Sequence, residues 1–238
     1  MGKENEPVNI AQMESLTRET IKEKHWREIE IFTGILNTFL SGFSSMGSFK
    51  LKEENESEYV WLLILIRSLN SIRCAMDLML KGYYSQAMSL LRTVTEAWFI
   101  CGTVQDNQSV RDCLIRDEAR MPHYIDLATQ MEAMNIYDGD YRYQSKFTHS
   151  SRLSLRVLYN LDKNEAIVTP VYDEVLFLLC AESLMRVSLL ILEYMGHLIF
   201  YIDKDKAKSW DEQNSQHIKA ASSWLGELRA KYGEDNIN

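Results

Sequence analysis

The sequence predicts an all-α protein, an antiparallel helical bundle with additional N- and C-terminal helices. Only 3 prolines and 10 glycines interrupt a chain of 238 residues that is rich in helix-forming side chains. Apolar residues recur every three or four positions along almost the whole chain, whereas alternation with a period of two never persists. A chain of this length can bury a sizeable core, so one helical domain over residues 1–238 is expected.

Turn-forming residues divide the chain into nine predicted helices. We expect them near residues 9–24, 26–42, 57–81, 83–104, 107–120, 122–136, 139–160, 170–202 and 210–232. The first two are also compatible with one long helix. Breaks are predicted at the Ser/Gly cluster 42–47, at Gly82, at Pro122 and at Asp138-Gly139, and Pro170 suits the first turn of the longest helix. Residues 57–202 should form the core, with the helices at 9–42 and 210–232 around it.

Charge and cysteine content limit the classes of function. With 34 acidic and 26 basic residues the net charge is −8, which argues against a broad nucleic-acid-binding surface. The N-terminus lacks the apolar segment of a secretory signal, so a cytoplasmic protein with no membrane association is expected. The four cysteines contain no C-x-x-C pair and are predicted to be reduced thiols, namely Cys74, Cys101, Cys113 and Cys180.

The longest predicted helix carries one narrow polar stripe. Its ionisable residues Glu182, Arg186, Glu193 and His197 fall within an arc of roughly 60°. All other faces are apolar, which indicates a central helix and not one on the surface. Charges in that setting could stabilise the fold, specify a homodimer or line a ligand pocket.

A second charged pair lies in the predicted helix at 83–104. Arg92 and Glu96 are one helical turn apart in a segment that is otherwise suited to burial. Desolvating each charge costs several kcal/mol, so such a pair needs a network of partners or a wet cavity.

The strongest local concentration of positive charge with a histidine follows residue 140. Arg142 and His149 are seven residues apart, and Arg152 and Arg156 follow. An arginine and a histidine together can position and protonate a phosphate ester, as metal-independent RNA cleavage requires. This spacing has little specificity, since about one such match is expected by chance in a chain of this composition. The other matches are Arg18 with His25 and Arg116 with His123.

Metal and cofactor motifs are missing from the sequence. A carboxylate-bridged di-iron bundle requires Glu-x-x-His pairs, and the chain contains none. Clustered Cys and His ligands for zinc and glycine-rich phosphate loops are also missing. The sequence therefore predicts neither a metal nor a cofactor.

Two motifs carry a resemblance to a known family. They are Ala87-x-x-Leu90-x-Arg92-x-x-x-Glu96 and Tyr141-x-x-x-Ser145-x-x-x-His149. Over about residues 60–200 the chain resembles a prokaryotic all-helical family of unknown function that has these motifs. The resemblance implies that Arg92, Glu96, Ser145 and His149 act jointly by meeting in the bundle interior. A looser similarity to HEPN-like helical domains, which occur in toxins and phage defence, implies an endoribonuclease.

Two functions are therefore predicted, and whether the protein is an enzyme stays open. The first is a cytosolic, homodimeric binding or interaction module for a small molecule, RNA or a partner chain. Its polar seam in the bundle interior would comprise Arg92, Glu96, Tyr141, Ser145, Glu182, Arg186, Glu193 and His197. The alternative is a HEPN-like, metal-independent endoribonuclease of a toxin or phage-defence system. In that alternative His149 acts as acid or base and Arg142 stabilises the transition-state charge.

Overall fold

The computed structural model describes residues 9–47, 55–148 and 170–232, together with the backbone of two short strands between the last two ranges. Helices dominate these residues, which confirms the predicted all-α class. The helices are α1 (Ile10–Lys24), α2 (Trp26–Met46), α3 (Glu56–Leu80), α4 (Tyr84–Thr103), α5 (Gln108–Arg111), α6 (Tyr124–Gln130), α7 (Met134–Ile136), α8 (Arg142–Thr148), α9 (Glu174–Ile202) and α10 (Lys204–Tyr232). Two π-helical turns, Asp112–Arg116 and Tyr137–Tyr141, extend α5 and connect α7 to α8.

Helix α9 is the central helix of the bundle. It packs against α2, α3, α4 and α10. By length and composition α9 would be able to cross a membrane, and 56% of its most apolar 18-residue window is buried inside the bundle. Its packing against four helices accounts for the nearly continuous apolar surface that the sequence shows.

The helix predicted at 26–42 continues to Met46, so the chain breaks at the end of the predicted Ser/Gly cluster 42–47 and not at Gly42. Gly42 is buried in the helix at a close approach of α2 to its neighbours. A Cβ at this position would lie 2.7 Å from Met195 Sδ and 3.3 Å from Trp210 Nε1. The glycine is therefore explained by close packing on α9 and α10 and not by a turn. The helix ends at Gly47, whose φ is 64°.

The predicted break at Gly82 is confirmed. Gly82 has a φ of 86°, which side chains with a Cβ rarely adopt, and it lies between α3 and α4. Its N–H donates to the Met79 carbonyl at 3.1 Å and so closes the end of α3. Helices α3 and α4 are thus joined by a tight antiparallel connection.

The predicted helix at 139–160 is too long. Helix α8 spans Arg142–Thr148, and Tyr159–Asn160 form a strand that pairs antiparallel with Glu165–Ala166. The sequence Leu-Asp-Lys-Asn at 161–164 includes Asp and Asn, residue types that favour turns. Apolar spacing alone did not reveal the strands, because each is only two residues long.

Three further helix boundaries differ from the prediction for local reasons. Pro170 precedes α9 and is not in its first turn, because Asp173 caps the helix by accepting from the Leu176 N–H at 2.9 Å. The helix predicted at 107–120 ends at Asp117, and the one predicted at 122–136 is interrupted at Glu132. Both residues adopt a left-handed backbone, with φ values of 55° and 54°.

Helix α10 packs on α2 and α9. The Trp224 ring meets Phe32 edge-on at 6.0 Å between centroids. The Trp210 Nε1–H donates to the Thr38 carbonyl at 3.2 Å. Helix α10 begins at Lys204, six residues earlier than predicted, because Asp203 accepts from the Lys206 N–H at 3.1 Å.

Replacing Gly42 by alanine should destabilise the protein by about 1–3 kcal/mol, because the added methyl group overpacks the contact with Met195 and Trp210. The matched control is Gly226→Ala in α10, where a Cβ would meet nothing within 4 Å. That control should stabilise the helix by about 0.5–1 kcal/mol. Urea unfolding of both variants tests the pair. Equal stabilisation by both substitutions would contradict the close approach at Gly42.

Candidate functional site

The polar residues of the bundle interior meet at residues 137–148, which we call the bridging segment. This segment packs on α4 and reaches α9 through polar side chains. Its buried face consists of Asp140, Gln144 and Phe147, at the three-and-four spacing of one helix face. The bridging segment thus lies between polar side chains of α4 and polar side chains of α9.

Gln144 is the centre of this arrangement. Its side chain is fully buried and bonds to both neighbouring helices. The Thr95 hydroxyl of α4 donates to Gln144 Oε1 at 2.9 Å, and Gln144 Nε2 donates to Ser183 Oγ of α9 at 2.8 Å. One amide therefore satisfies two buried hydroxyl groups and connects three elements.

Arg92 holds the bridging segment against α4. Its Nε lies 3.1 Å from Glu96 Oε1, and its NH1 and NH2 donate to Thr148 Oγ1 and the Tyr141 hydroxyl, both at 2.9 Å. The guanidinium also stacks on the Tyr141 ring, 4.9 Å from its centroid. The Arg92 and Glu96 side chains retain 21% and 20% of their exposure, so the pair is half-buried. Each guanidinium nitrogen has a partner within the chain.

The two phenol groups next to this pair are neutral at physiological pH. Burial, with the negative charge of Glu96 adding to it, raises the pKa of Tyr124 to about 12. Burial also raises the pKa of Tyr141, although the hydrogen bond from Arg92 opposes the shift. Both groups therefore act as hydrogen-bonding phenols and not as bases.

A second charged cluster lies on the α9 side of the bridging segment. Asp140 Oδ2 is 2.8 Å from an Arg186 nitrogen, and Glu182 lies 3.9 Å from Arg186 and 3.8 Å from Arg229. Asp140 Oδ2 has no aligned hydrogen-bond donor among the described residues, so its contact with Arg186 is an ion pair only. Burial raises the pKa of Asp140, and the charge of Arg186 opposes that shift.

The four ionisable residues of the α9 stripe do not share one environment. Glu182 is buried and Arg186 half-buried, whereas Glu193 and His197 are exposed. Glu193 borders a shallow groove of about 250 Å³ beside Arg186. His197 lines a separate groove of about 480 Å³. The bridging segment covers only the part of the stripe nearer to the N-terminus of α9.

Ser145 contributes to helix α8 and is not brought into contact with Arg92. Its hydroxyl donates to the Tyr141 carbonyl at 2.6 Å, and its own carbonyl accepts from Thr148. His149, Arg152 and Arg156 lie outside the described residues, so the predicted meeting of His149 with Arg92 and Glu96 stays a prediction.

All three arginines of the Arg-x(6)-His matches pair with carboxylates. Arg142 is exposed and lies 3.1 Å from Asp138 of the preceding turn. Arg18 pairs with Asp77, and Arg116 pairs with a carboxylate of its own helical turn and with Glu56. Surface pairs of this kind contribute little to stability, about 0–1 kcal/mol each.

The described residues offer little for nucleophilic or metal chemistry. No group of three or more His, Cys, Asp or Glu side chains within them could hold a metal ion. Complete burial raises the pKa of the Cys101 and Cys180 thiols, which makes them poor nucleophiles. The Cys180 thiol also donates to the Tyr84 carbonyl at 3.4 Å.

Reasoning from the sequence missed the residues that connect the seam. Gln144, Thr95 and Ser183 are uncharged, whereas the predicted seam consists mainly of charged residues. Asp140 directly follows the predicted turn at Asp138-Gly139, a position that does not predict burial. The available signal was the i, i+4 spacing of Asp140 and Gln144, followed by an aromatic residue three positions later.

In comparisons with known proteins, no family model, curated protein or solved structure matches this chain. The site is therefore interpreted from its own geometry.

Replacing Glu96 by alanine should cost about 1–3 kcal/mol of unfolding free energy, less than for a fully buried pair, because Arg92 keeps its bonds to Tyr141 and Thr148. Lys208→Ala is the matched control, since Lys208 and Glu212 form an exposed pair one turn apart on α10. That control should change stability by less than about 0.5 kcal/mol. Equal effects of the two substitutions in urea unfolding would show that Arg92–Glu96 behaves as a surface pair.

As the pH rises above about 4, the pKa of an unperturbed aspartate, the wild type should lose stability because of Asp140. The variant Asp140→Asn should not show this loss. The pKa of Asp140 is higher in the folded state, so the protonated carboxyl stabilises the fold at low pH. This stabilisation is lost as the pH rises through the folded-state pKa.

Unfolding free energies between pH 4 and 7 measure this effect, with Asp138→Asn as the exposed control. The unfolding free energy of the wild type minus that of Asp140→Asn should decrease as the pH rises. If this value increases with pH instead, the attraction between Arg186 and the Asp140 carboxylate outweighs the cost of burying that charge.

Proposed function

We propose that this protein is a non-catalytic helical binding module and that its interior polar seam is structural. The observation that supports this is the mutual neutralisation of the buried charges. Asp140 and Glu182 are matched by Arg186 and Arg229. Using any of these groups for chemistry would leave another buried charge without its partner, which is strongly destabilising.

Binding would take place at the surface, where the α9 stripe leaves the cover of the bridging segment. The grooves beside Glu193 and His197 are concave and partly apolar, as ligand sites usually are. They lie on the same rigid central helix as the seam. Ligand contacts here would not require the interior ion pairs to open.

We also propose that the module is a homodimer that uses the exposed side of α3. Tyr59, Leu63 and Ile66 lie at i, i+4 and i+7, and each keeps between 44% and 47% of its surface exposed. An apolar strip along one helix can pair with the same strip of a second copy around a two-fold axis.

Incubation of purified protein with total RNA in EDTA tests the non-catalytic assignment. Wild type and His149→Ala should both leave the RNA intact on a gel, because the described charges serve the fold. Cleavage by the wild type that His149→Ala abolishes would replace this proposal by the endoribonuclease alternative. Arg142→Ala would then test the second residue of that motif.

Sedimentation velocity tests the dimer. The wild type should sediment as a dimer, and Leu63→Glu should give a folded monomer because it places a charge in the apolar strip. Leu114→Glu is the control, since Leu114 is equally exposed, at 43%, but lies on another element. A wild-type monomer at all concentrations would contradict the dimer and leave the RNA result unaffected.

A further inference from the structure

One end of the bundle carries a groove that is lined mainly by aromatic side chains, which we call the aromatic groove. It lies where α3 begins, α4 ends and α9 passes into α10. The groove measures about 480 Å³ and is lined by Trp61, Gln105, His197, Phe200, Tyr201 and Lys204. Small-molecule sites typically occupy about 300–1,000 Å³, so the aromatic groove is large enough for a ligand with one or two rings.

The floor of the aromatic groove is rigid. Trp61 is almost fully buried, and its Nε1–H donates to the Cys101 carbonyl at 2.8 Å. Its ring lies 5.7 Å from Tyr194 and 6.3 Å from His197, between centroids. Tyr194 in turn meets His197 edge-on at 5.8 Å. Three rings that hold one another in place form a preorganised surface for stacking, which reduces the entropy lost on binding.

The mouth of the aromatic groove exposes large aromatic side chains. Phe200 and Tyr201 keep 53% and 48% of their surface exposed. The Tyr201 hydroxyl accepts a short hydrogen bond from Asn55 Nδ2, which fixes this ring at the start of α3. Aromatic residues exposed beside a concavity would bury apolar surface when a ring enters.

One cation lies at this mouth. Lys204 Nζ is 5.3 Å from the centroid of the Phe200 ring. Within the described part of the chain no carboxylate forms an ion pair with Lys204, in contrast to Lys81 and Lys208. The Gln105 side chain adds an amide with both donor and acceptor groups. Lys204 can therefore bind an anion without giving up an ion pair.

We propose that the aromatic groove binds a planar aromatic ligand that carries one anionic group, either a carboxylate or a phosphate. The ring stacks between Phe200 and the surface formed by Trp61 and His197. The anion binds the Lys204 ammonium, and Gln105 contacts a polar edge of the ring. This assignment deepens the proposed binding function and rests on it.

Two matched probe pairs test the ligand class by isothermal titration. Indole-3-acetate is compared with neutral indole-3-acetamide, and adenosine 5′-monophosphate with neutral adenosine. At least one anionic probe should bind the wild type about tenfold more tightly than its neutral partner, the contribution of roughly one charge-assisted hydrogen bond. Which anionic probe binds distinguishes a carboxylate ligand from a phosphate ligand.

Variants locate the binding site. Lys204→Met should weaken binding of the anionic probe about tenfold and leave its neutral partner unchanged. Phe200→Ala should weaken both members of the pair. Lys208→Met, which removes a lysine one turn further along α10 and outside the aromatic groove, should change neither.

Failure of all four probes to bind would overturn the ligand assignment, as would binding that both Lys204→Met and Phe200→Ala leave intact. If either of these results is obtained and the RNA is not cleaved, the proposed binding function still holds, and only the ligand assignment is wrong. Conversely, RNA cleavage that depends on His149 would overturn the proposed function even where the probes bind.

Discussion

The double hydrogen bond of Gln144 is the contact on which the arrangement of the bundle depends. Helices α4 and α9 each bury a hydroxyl group, Thr95 and Ser183, and neither would have its present partner without the amide between them. A buried polar group left unsatisfied costs about 1–3 kcal/mol. The bridging segment is therefore held in one position, because shifting it would break both bonds of the Gln144 amide, although the Thr95 hydroxyl would keep its bond to the Leu91 carbonyl.

The charged clusters follow from that position. Consecutive residues of a helix point about 100° apart, so two neighbours in the sequence can reach different elements. Asp140 contacts Arg186 of α9, while the next residue, Tyr141, contacts Arg92 of α4. One short segment thus provides a carboxylate to one arginine and a phenol to another. The two clusters are separate, although the sequence suggested a single seam.

The sequence predicted the fold well where local signals agree with packing. Apolar spacing located the long helices, and Gly82 marked a turn because its backbone needs a positive φ. Gly42 misled because a glycine that permits close approach looks the same in sequence as one that ends a helix. The buried face of the bridging segment was missed for a related reason. Charged residues and histidines indicated that the helix face with Tyr141 and Ser145 is the interior one. The face that is buried is the neighbouring one, which carries Gln144.

The narrow stripe of α9 combines two roles that its sequence cannot distinguish. Near Glu182 and Arg186 the bridging segment reduces contact with water, so these charges pair with opposite charges from within the chain. Near His197 the stripe reaches the surface beside an aromatic cluster and Lys204, which forms no ion pair with a carboxylate of the described residues. A ligand bound there gains contacts and breaks none of the ion pairs that stabilise the fold. The covered part of the helix thus fixes the scaffold, and the uncovered part is where binding can evolve without loss of stability.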